Sequence, residues 1–335
     1  MIQHTLYLGY YLKQMKWKLL KKFLTFAAKE TGKSKTYLLL SSITSVYVYN
    51  ISILEYFQFR FYSKNTYEKK QWAGTGYMYE YQLLMNPKEA RHILDDKRQF
   101  YKAYQKYFVH TVAALEDLKN DLNLAKQLLL NPSGKMVFKA ADGKCGVSVE
   151  VVNTIDFDTT SMIAYMETKG LDLVEEFITQ HAAMNALSPS GVNTVRIFTQ
   201  LDKNNEVIIL GCRQRISVDS QVDNMAAGNI AAMVDEETGK ISGPGIYSDI
   251  TKKEEIIHPI TGVLIIGFQV PFWNECIAMV KAAAKLHPQN RSIGWDIVVT
   301  DNGPGFIEGN HDWCKLLWQL PVNQGLKHTL EVHKK

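Results

Sequence analysis

No stretch of this 335-residue chain reaches about 18 uninterrupted apolar residues, so none reads as a membrane-spanning helix. The best candidate, residues 42–57, is broken by Asn50 and Glu55. Cysteine is scarce. Cys145, Cys212, Cys276 and Cys314 lie far apart, which excludes a disulfide framework and a cysteine metal cluster and suits a reducing cytosol. The net charge is only +4, so the basic surplus of a nucleic-acid binder is missing. The early lysines follow the first apolar residues rather than precede them, the reverse of a secretory signal. Neither G-x-x-x-x-G-K-S/T nor a helix-opening G-x-G-x-x-G occurs. There is no defensible Ser-His-Asp or Cys-His order, no internal repeat and no low-complexity segment.

What is present is enough apolar content, 46%, for a large core and two or three subdomains. Charged residues, at 21%, argue against wholesale disorder. Residues 1–28 carry Lys13, Lys16, Lys18, Lys21 and Lys22 and no acid. Leu8, Leu12, Met15, Leu19, Phe23 and Phe26 recur there at helical spacing. Such a basic amphipathic helix either lies on an anionic membrane surface or packs on its own protein with its lysines solvated. Residues 31–34 read as a turn, 36–62 as mostly helix, and 64–95 as short helices and loops. The first 93 residues lack βαβ alternation and are assigned to a helical N-terminal accessory domain.

The pattern changes from Leu94. Asp95-Asp96 caps a helix through Lys97, Phe100, Tyr104 and Tyr107, and a second helix is expected over about 111–130. Strands follow at 135–140, 146–151 and 171–175, with a helix over 159–169. These elements make a unit over 94–185. Residues 186–325 are mainly β, with strands at 194–201, 207–217 and 231–234, one helix at 272–286, and a terminal hairpin. Residues 326–335 read as a basic tail. The fold class is α+β.

The hairpin is the most informative segment. Strand-like runs flank Asp301-Asn302-Gly303, which suits a three-residue loop with glycine last, in the left-handed region. That closure sets Thr300 against Pro304, Val298 against Phe306, and Asp296 against Glu308. Opposed like charges are destabilising. Asn310 lies two residues beyond Glu308, on the same face. Two carboxylates and an amide oxygen on one face call for a hard cation, Mg²⁺ before Ca²⁺, and Mg²⁺ so held usually shares its site with substrate phosphates. The ordinary alternative is an exposed hairpin whose acids never meet.

Other segments carry weaker signals. Lys139 ends a strand and leads into a loop containing Gly143, Lys144 and Gly146, whose N–H groups can cradle phosphate. A buried Lys139 would demand an anion. Its alternative is a solvent-facing lysine. Glu175 and Glu176 end an apolar strand whose backbone, near Ile178, could meet an adenine edge. Arg196 begins one strand, and Arg213 and Arg215 share a face of another; guanidinium forks bind carboxylate or phosphate. Their alternative partners are acids of the fold itself. His181 and His258, near these segments, are more often structural.

In this order the motifs resemble the ATP-grasp superfamily. They are a helix starting at Lys97, a strand lysine before a glycine loop, the Glu175–Ile178 hinge, an arginine strand, and a terminal Asp…Glu-x-Asn set. Asn193-Thr194-Val195-Arg196 and Gly294-Trp295-Asp296…Ile307-Glu308-Gly309-Asn310 resemble its sugar-transfer-associated branch, over roughly residues 90–320. By that resemblance, ATP lies between two α+β subdomains. Lys97 and Lys139 contact its phosphates, and Gly143, Lys144 and Gly146 cover them. Glu175 or Glu176, with the backbone near Ile178, holds adenine. His181 and Asn185 are candidates for the ribose. Asp296, Glu308 and Asn310 hold one or two Mg²⁺, for which Mn²⁺ can substitute.

The implied reaction is ligation of a carboxylate to an amine through an acyl phosphate. Arg196 would stabilise the transferring phosphoryl group or the acyl phosphate, and Arg213 and Arg215 would orient the substrate carboxylate. The branch suggests a sugar acid or amino acid in surface polysaccharide assembly, capsule or exopolysaccharide. The partners expected are ATP, a small-molecule carboxylate and an amine acceptor, sugar-linked in this context, and no nucleic acid. The place expected is the cytoplasm, with peripheral contact at the inner face of a membrane through residues 1–28. Two alternatives stay open: a kinase of a sugar-like hydroxyl, and a membrane-associated ATP-binding scaffold. The helical N-terminal third departs from the α/β pre-domain of many ATP-grasp ligases.

Overall fold

The computed structural model describes residues 2–141 and 149–334. The N-terminal part is built of helices: α1 (Ile2–Lys13), α2 (Trp17–Thr31), α3 (Lys35–Tyr49), α4 (Ile53–Gln58), α5 (Thr66–Lys70), α6 (Thr75–Met85), α7 (His92–Asp95) and α8 (Lys97–Tyr104). Local chemistry sets their ends. Ser34 accepts the Tyr37 N–H at the start of α3, and Asn50 closes that helix at φ 55°. Ser52 and Glu55 form a reciprocal capping box on α4. The helix expected over 36–62 is therefore two helices with a capped break between them. The Asp96 carboxylate caps α8 by accepting the Arg98 and Gln99 N–H groups.

A small antiparallel sheet follows, from β1 (Val112–Ala114), β2 (Lys135–Lys139), β3 (Val149–Asn153) and β4 (Leu173–Glu176), in the order β1-β4-β2-β3. Helices α9 (Leu115–Asn120), α10 (Leu122–Leu129) and α11 (Thr159–Lys169) share a core with it through Leu118, Leu128, Phe138, Met162 and Met166. The single helix expected over 111–130 is thus a strand and two short helices. Pairing of Val112 with Glu175 and Ala113 with Val174 draws the start into the sheet, and Asp121 caps a new helix at α10.

The larger sheet has six antiparallel strands in the order β10-β9-β5-β6-β7-β8. These are β5 (Val195–Leu201), β6 (Val207–Ile216), β7 (Ile230–Val234), β8 (Ile246–Tyr247), β9 (Ser292–Thr300) and β10 (Gly303–Asn310). Helices α12 (Ala182–Leu187) and α13 (Trp273–Ala284) accompany it, and α14 (Lys315–Gln319) and α15 (Lys327–Glu331) end the chain. Strand alternation sorts the side chains. Val195, Ile197, Trp295 and Ile297 join the core of α13, whereas Arg196 and Asp296 point to the opposite face.

The helical third is not a separate accessory body. Leu20, Phe23 and Ala27 of α2 share one buried cluster with Phe198 of the large sheet and with Trp313 and Trp318. The α2 stripe is core, the packed alternative of the two readings. Residues 326–335, expected as a basic tail, contain α15 with Leu330 fully buried; Lys327 and Lys334 lie 4.6 and 4.1 Å over the Tyr77 ring.

The hairpin reaches the expected pairing by a different route. Gly303 has the positive φ, 114°, but it already pairs with Thr300, so the loop proper is one residue shorter than supposed: Pro304 faces Val299 and Phe306 faces Ile297. A bulge between Phe306 and Glu308 then adds a residue back, and Glu308 falls opposite Asp296 after all. The bulge turns Glu308 off the α13 face and onto the face of Asp296.

Candidate active site

Four neighbouring strands of the large sheet set four charged residues in one row. Glu308 of β10 is opposite Asp296 of β9, Asp296 opposite Arg196 of β5, and Arg196 opposite Arg213 of β6. Arg215 lies two residues further along β6, on the same face. Asp296 is gripped by both Arg196 and Arg215: Arg196 bonds it through Nε and Nη2, and Arg215 Nη1 lies 2.8 Å from its Oδ2. Arg215 reaches Asp223 at 2.5 Å, and Asp223 accepts the Thr194 N–H and hydroxyl at 2.8 and 2.6 Å.

Three acids thus share two guanidinium groups. Burial works to raise the Asp296 pKa, but Arg196 and Arg215 hold it well below the usual carboxylate range. Burial pushes Glu308 up, and adjacent Asp296 adds to this against Arg196. Burial likewise raises Asp223, against the pull of Arg215. A hydrogen bond joins the Glu308 and Asp296 carboxyls, and Asn310 Nδ2 donates to Glu308 Oε1 at 3.1 Å. Arg213 stands apart from this cluster. Its guanidinium donates to the Trp318 carbonyl oxygen at 3.0 and 2.5 Å, and burial lowers its pKa to about 10. The expectation that Arg213 orients a substrate is corrected by this geometry, because it faces backbone and lines neither cavity described next.

A cavity of about 260 Å³ lies between the two sheets. Lys139, Glu175 and Ile178 line it from the small-sheet side, Arg215, Asp223, Asp296 and Glu308 from the large sheet, and Lys97 from the start of α8, whose Phe100 and Tyr104 pack in the large-sheet core. A second cavity, about 270 Å³, shares Lys97, Asn224 and Glu308 with it and adds Arg196, Asn310, Asp95 and His311. The structure therefore gathers Lys97, Lys139, Glu175, Glu176, Ile178, Arg196, Arg215, Asp296, Glu308 and Asn310 around two joined cavities. Gly143, Lys144 and Gly146 lie outside the described residues.

Lys139 has its anion from within the fold: Nζ is 2.5 Å from Glu175 Oε2. Buried His110 places Nε2 3.5 Å from the same oxygen. Burial raises Glu175, but Lys139 and His110 together bring it down to about 2. Glu175 is thus committed to Lys139 rather than held out for an adenine, a correction to its expected role. Glu176 accepts the Thr111 N–H at 3.2 Å and still lines the cavity beside Ile178. His181 is displaced from its expected place. Its Nδ1 accepts the Ala183 N–H as the cap of α12, its ring meets Phe272 edge-on, and it lines neither cavity.

The donor chemistry fits a hard cation at one end of the row. Both Asp296 oxygens are occupied by arginine, which leaves Glu308 and the Asn310 amide oxygen as the readiest ligands. Among the described residues no three His, Cys, Asp or Glu side chains gather as a metal site. The set is two carboxylates and an amide.

Sequence reasoning missed Asp223, Asn224, His110 and the Asp95–His311 pair, whose Oδ1 and Nε2 are 2.9 Å apart. Asp223-Asn224 follows the arginine strand by a few residues, a signal that was available. His110 gave none, since only the pairing of β1 with β4 carries it to Glu175.

No curated protein matches the sequence. Among solved structures, the chain is similar to a biotin carboxylase–ATP complex from Campylobacter jejuni (15% identity, TM-score 0.45, covering 73% of this chain and 47% of that one). It is similar to the ATP-grasp ligase PsnB with Mg and ADP (14%, 0.43, 75% and 61%) and to L-amino acid ligase from Bacillus licheniformis (12%, 0.42, 73% and 49%). The chain spans between about half and three fifths of the length of these proteins. Residues 77–335 match the family described as sugar-transfer associated ATP-grasp. That match takes in both sheets, both cavities and every member of the charged row, so the chain belongs to the sugar-transfer associated ATP-grasp family.

Proposed function

We propose that this protein is an ATP- and Mg²⁺-dependent ligase that joins a carboxylate to an amine through an acyl phosphate. One observation carries the reading: Lys97 and Lys139 border the same cleft as Asp296 and Glu308, and that cleft opens, at Lys97 and Glu308, into a second cavity that Asn310 lines. Apolar side chains, among them Val137, Val151 and Ile178, line the first cavity and suit a purine ring. Lys97 and Lys139 suit its phosphates. The second cavity suits the acceptors.

The step begins when a substrate carboxylate oxygen attacks the γ-phosphorus and the bond to ADP breaks. The amine then attacks the acyl carbon, the C–O bond to phosphate breaks, and a proton leaves the nitrogen. Phosphoryl transfer asks the protein chiefly for positioning and charge neutralisation. Glu308 and Asn310, with Asp296 beside them, would hold Mg²⁺, which when bound neutralises phosphate charge. Lys97 and Lys139 neutralise the rest. Arg196 borders the second cavity, where the acyl phosphate would form, while Arg215 borders the first and holds Asp296 in place. The sugar-transfer association in the family description supports a sugar-linked substrate, and the proposed pair is a uronate and an amine of surface polysaccharide assembly.

A second reading, phosphoryl transfer to a hydroxyl, is favoured by the Asp95–His311 pair in the second cavity, which offers a base for a hydroxyl proton. The test is a screen of uronates, amino acids and amino sugars for acceptor-dependent ADP release, followed by product mass. Condensation with loss of water supports the ligase. Gain of phosphate supports the kinase, and no acceptor-dependent release contradicts both.

A further inference from the structure

Helix α3 turns an uncharged face to solvent. Tyr37, Leu40, Thr44 and Val48 are spaced by three or four residues and so share one side. Tyr37, Leu40 and Val48 are 54, 60 and 60% exposed, while Leu38, Ser42, Ser45 and Val46 take the buried side. Residues 36–54 contain no Lys, Arg, Asp or Glu. A surface helix ordinarily puts its charges where these residues stand. Helix α1 packs beside it, with His4 Nδ1 2.9 Å from the Tyr47 carbonyl oxygen. It adds Leu6 and Tyr10, 69 and 59% exposed, and Trp17 follows at 63%.

The charge that these helices themselves carry is mostly of one sign, although Glu80 of α6 accepts the Tyr7 hydroxyl of α1 at 3.2 Å and Lys22 of α2 pairs with Asp249 at 2.5 Å. Residues 1–35 hold eight lysines and a single acid, Glu30, whose carboxylate is bonded to Arg60 and Tyr62. Lys33 and Lys35 stand at the start of α3; Lys13, Lys16 and Lys18 stand at the end of α1 and the start of α2. Among the described residues no helix is long and apolar enough to cross a membrane.

We propose that α1 and α3 dock this protein on an anionic membrane surface. Leu6, Tyr10, Leu40 and Val48 enter the headgroup boundary, and the lysines meet anionic headgroups. The inference is independent of the ligase reading. It also assigns the contact to different side chains from the α2 stripe, which the core already uses. A second copy of the chain could cover the apolar faces, but a two-fold interface would bring the two lysine sets together.

The test is co-sedimentation of the full chain with phosphatidylcholine vesicles, with and without phosphatidylglycerol, at low and high salt. The variants are Leu40→Glu/Val48→Glu, the milder Leu40→Ser/Val48→Ser, and Lys13→Glu/Lys16→Glu/Lys18→Glu. Circular dichroism establishes that each is folded. Wild type is expected to sediment with the anionic vesicles, less at high salt and little with neutral ones. Each variant should lower the partition coefficient, the glutamate pair by at least tenfold. Three results overturn the proposal: no binding by wild type, binding indifferent to both Leu40/Val48 pairs, or a solution dimer that either pair converts to monomer.

Discussion

Glu308 and Arg213 occupy the two ends of the charged row and have opposite meanings. Glu308 is an acid in surplus, raised by burial and by Asp296, whereas Arg213 is a cation facing only backbone. Replacing Arg213 with Met should leave the Trp318 carbonyl short of its donor, at about 1–3 kcal/mol, without changing MgATP affinity. Arg196→Met should remove one of the two arginines holding buried Asp296, at about 3–5 kcal/mol, and weaken MgATP binding as well. Urea unfolding and calorimetry together separate the two. Glu175 gives a pH prediction. Its folded pKa, about 2, lies below the ordinary 4.5, so the folded state favours the ionised form. Its stabilisation is complete above pH 4.5 and fades as pH falls towards 2. Lys139→Met removes the main charge that lowers it, so the variant should lose less stability over that window than wild type, measured by urea midpoints at stepped pH.

At the scale of elements, the strands and their order of chemistry were legible because alternation and β-branched runs are local signals. The Asp296–Glu308 pairing was legible too, although the loop length supposed for it was not. A shorter loop and a bulge at Ile307 cancel, and neither leaves a mark in composition. The strand at Val112–Ala114 was hidden because its partner lies some sixty residues away. Asn86 illustrates what no pattern carries. Fully buried at the end of α6, it donates to the Ser292 and His311 carbonyl oxygens at 2.8 and 3.0 Å and accepts the Ser292 N–H at 3.1 Å. It thereby fixes the start of β9 and the segment after Asn310. Asn86→Leu should strand these three backbone groups and cost about 3 kcal/mol or more. A lowered unfolding midpoint checks this, and weaker MgATP binding in the surviving folded fraction would place the effect at the site.

At the scale of the whole molecule, the helical third and the large sheet share one core, so the wall behind the second cavity is laid partly by α4 and α6. Buried Glu55 of α4 pairs with Lys315 at 3.1 Å, and Gln82 of α6 donates to the Trp313 carbonyl oxygen at 3.0 Å. That union was not readable in a sequence whose N-terminal third lacks motifs, since only side chains far apart in the chain make it. The cleft between the sheets was readable, because each wall carried its own motif in order. The most direct test of the account is calorimetric titration of ATP, with and without Mg²⁺, into wild type, Glu308→Gln and Arg213→Met. The account predicts Mg²⁺-dependent binding in wild type and Arg213→Met, and loss of the Mg²⁺-dependent part in Glu308→Gln. Folded wild type that binds no ATP, or a Glu308→Gln variant with undiminished Mg²⁺ dependence, would contradict it.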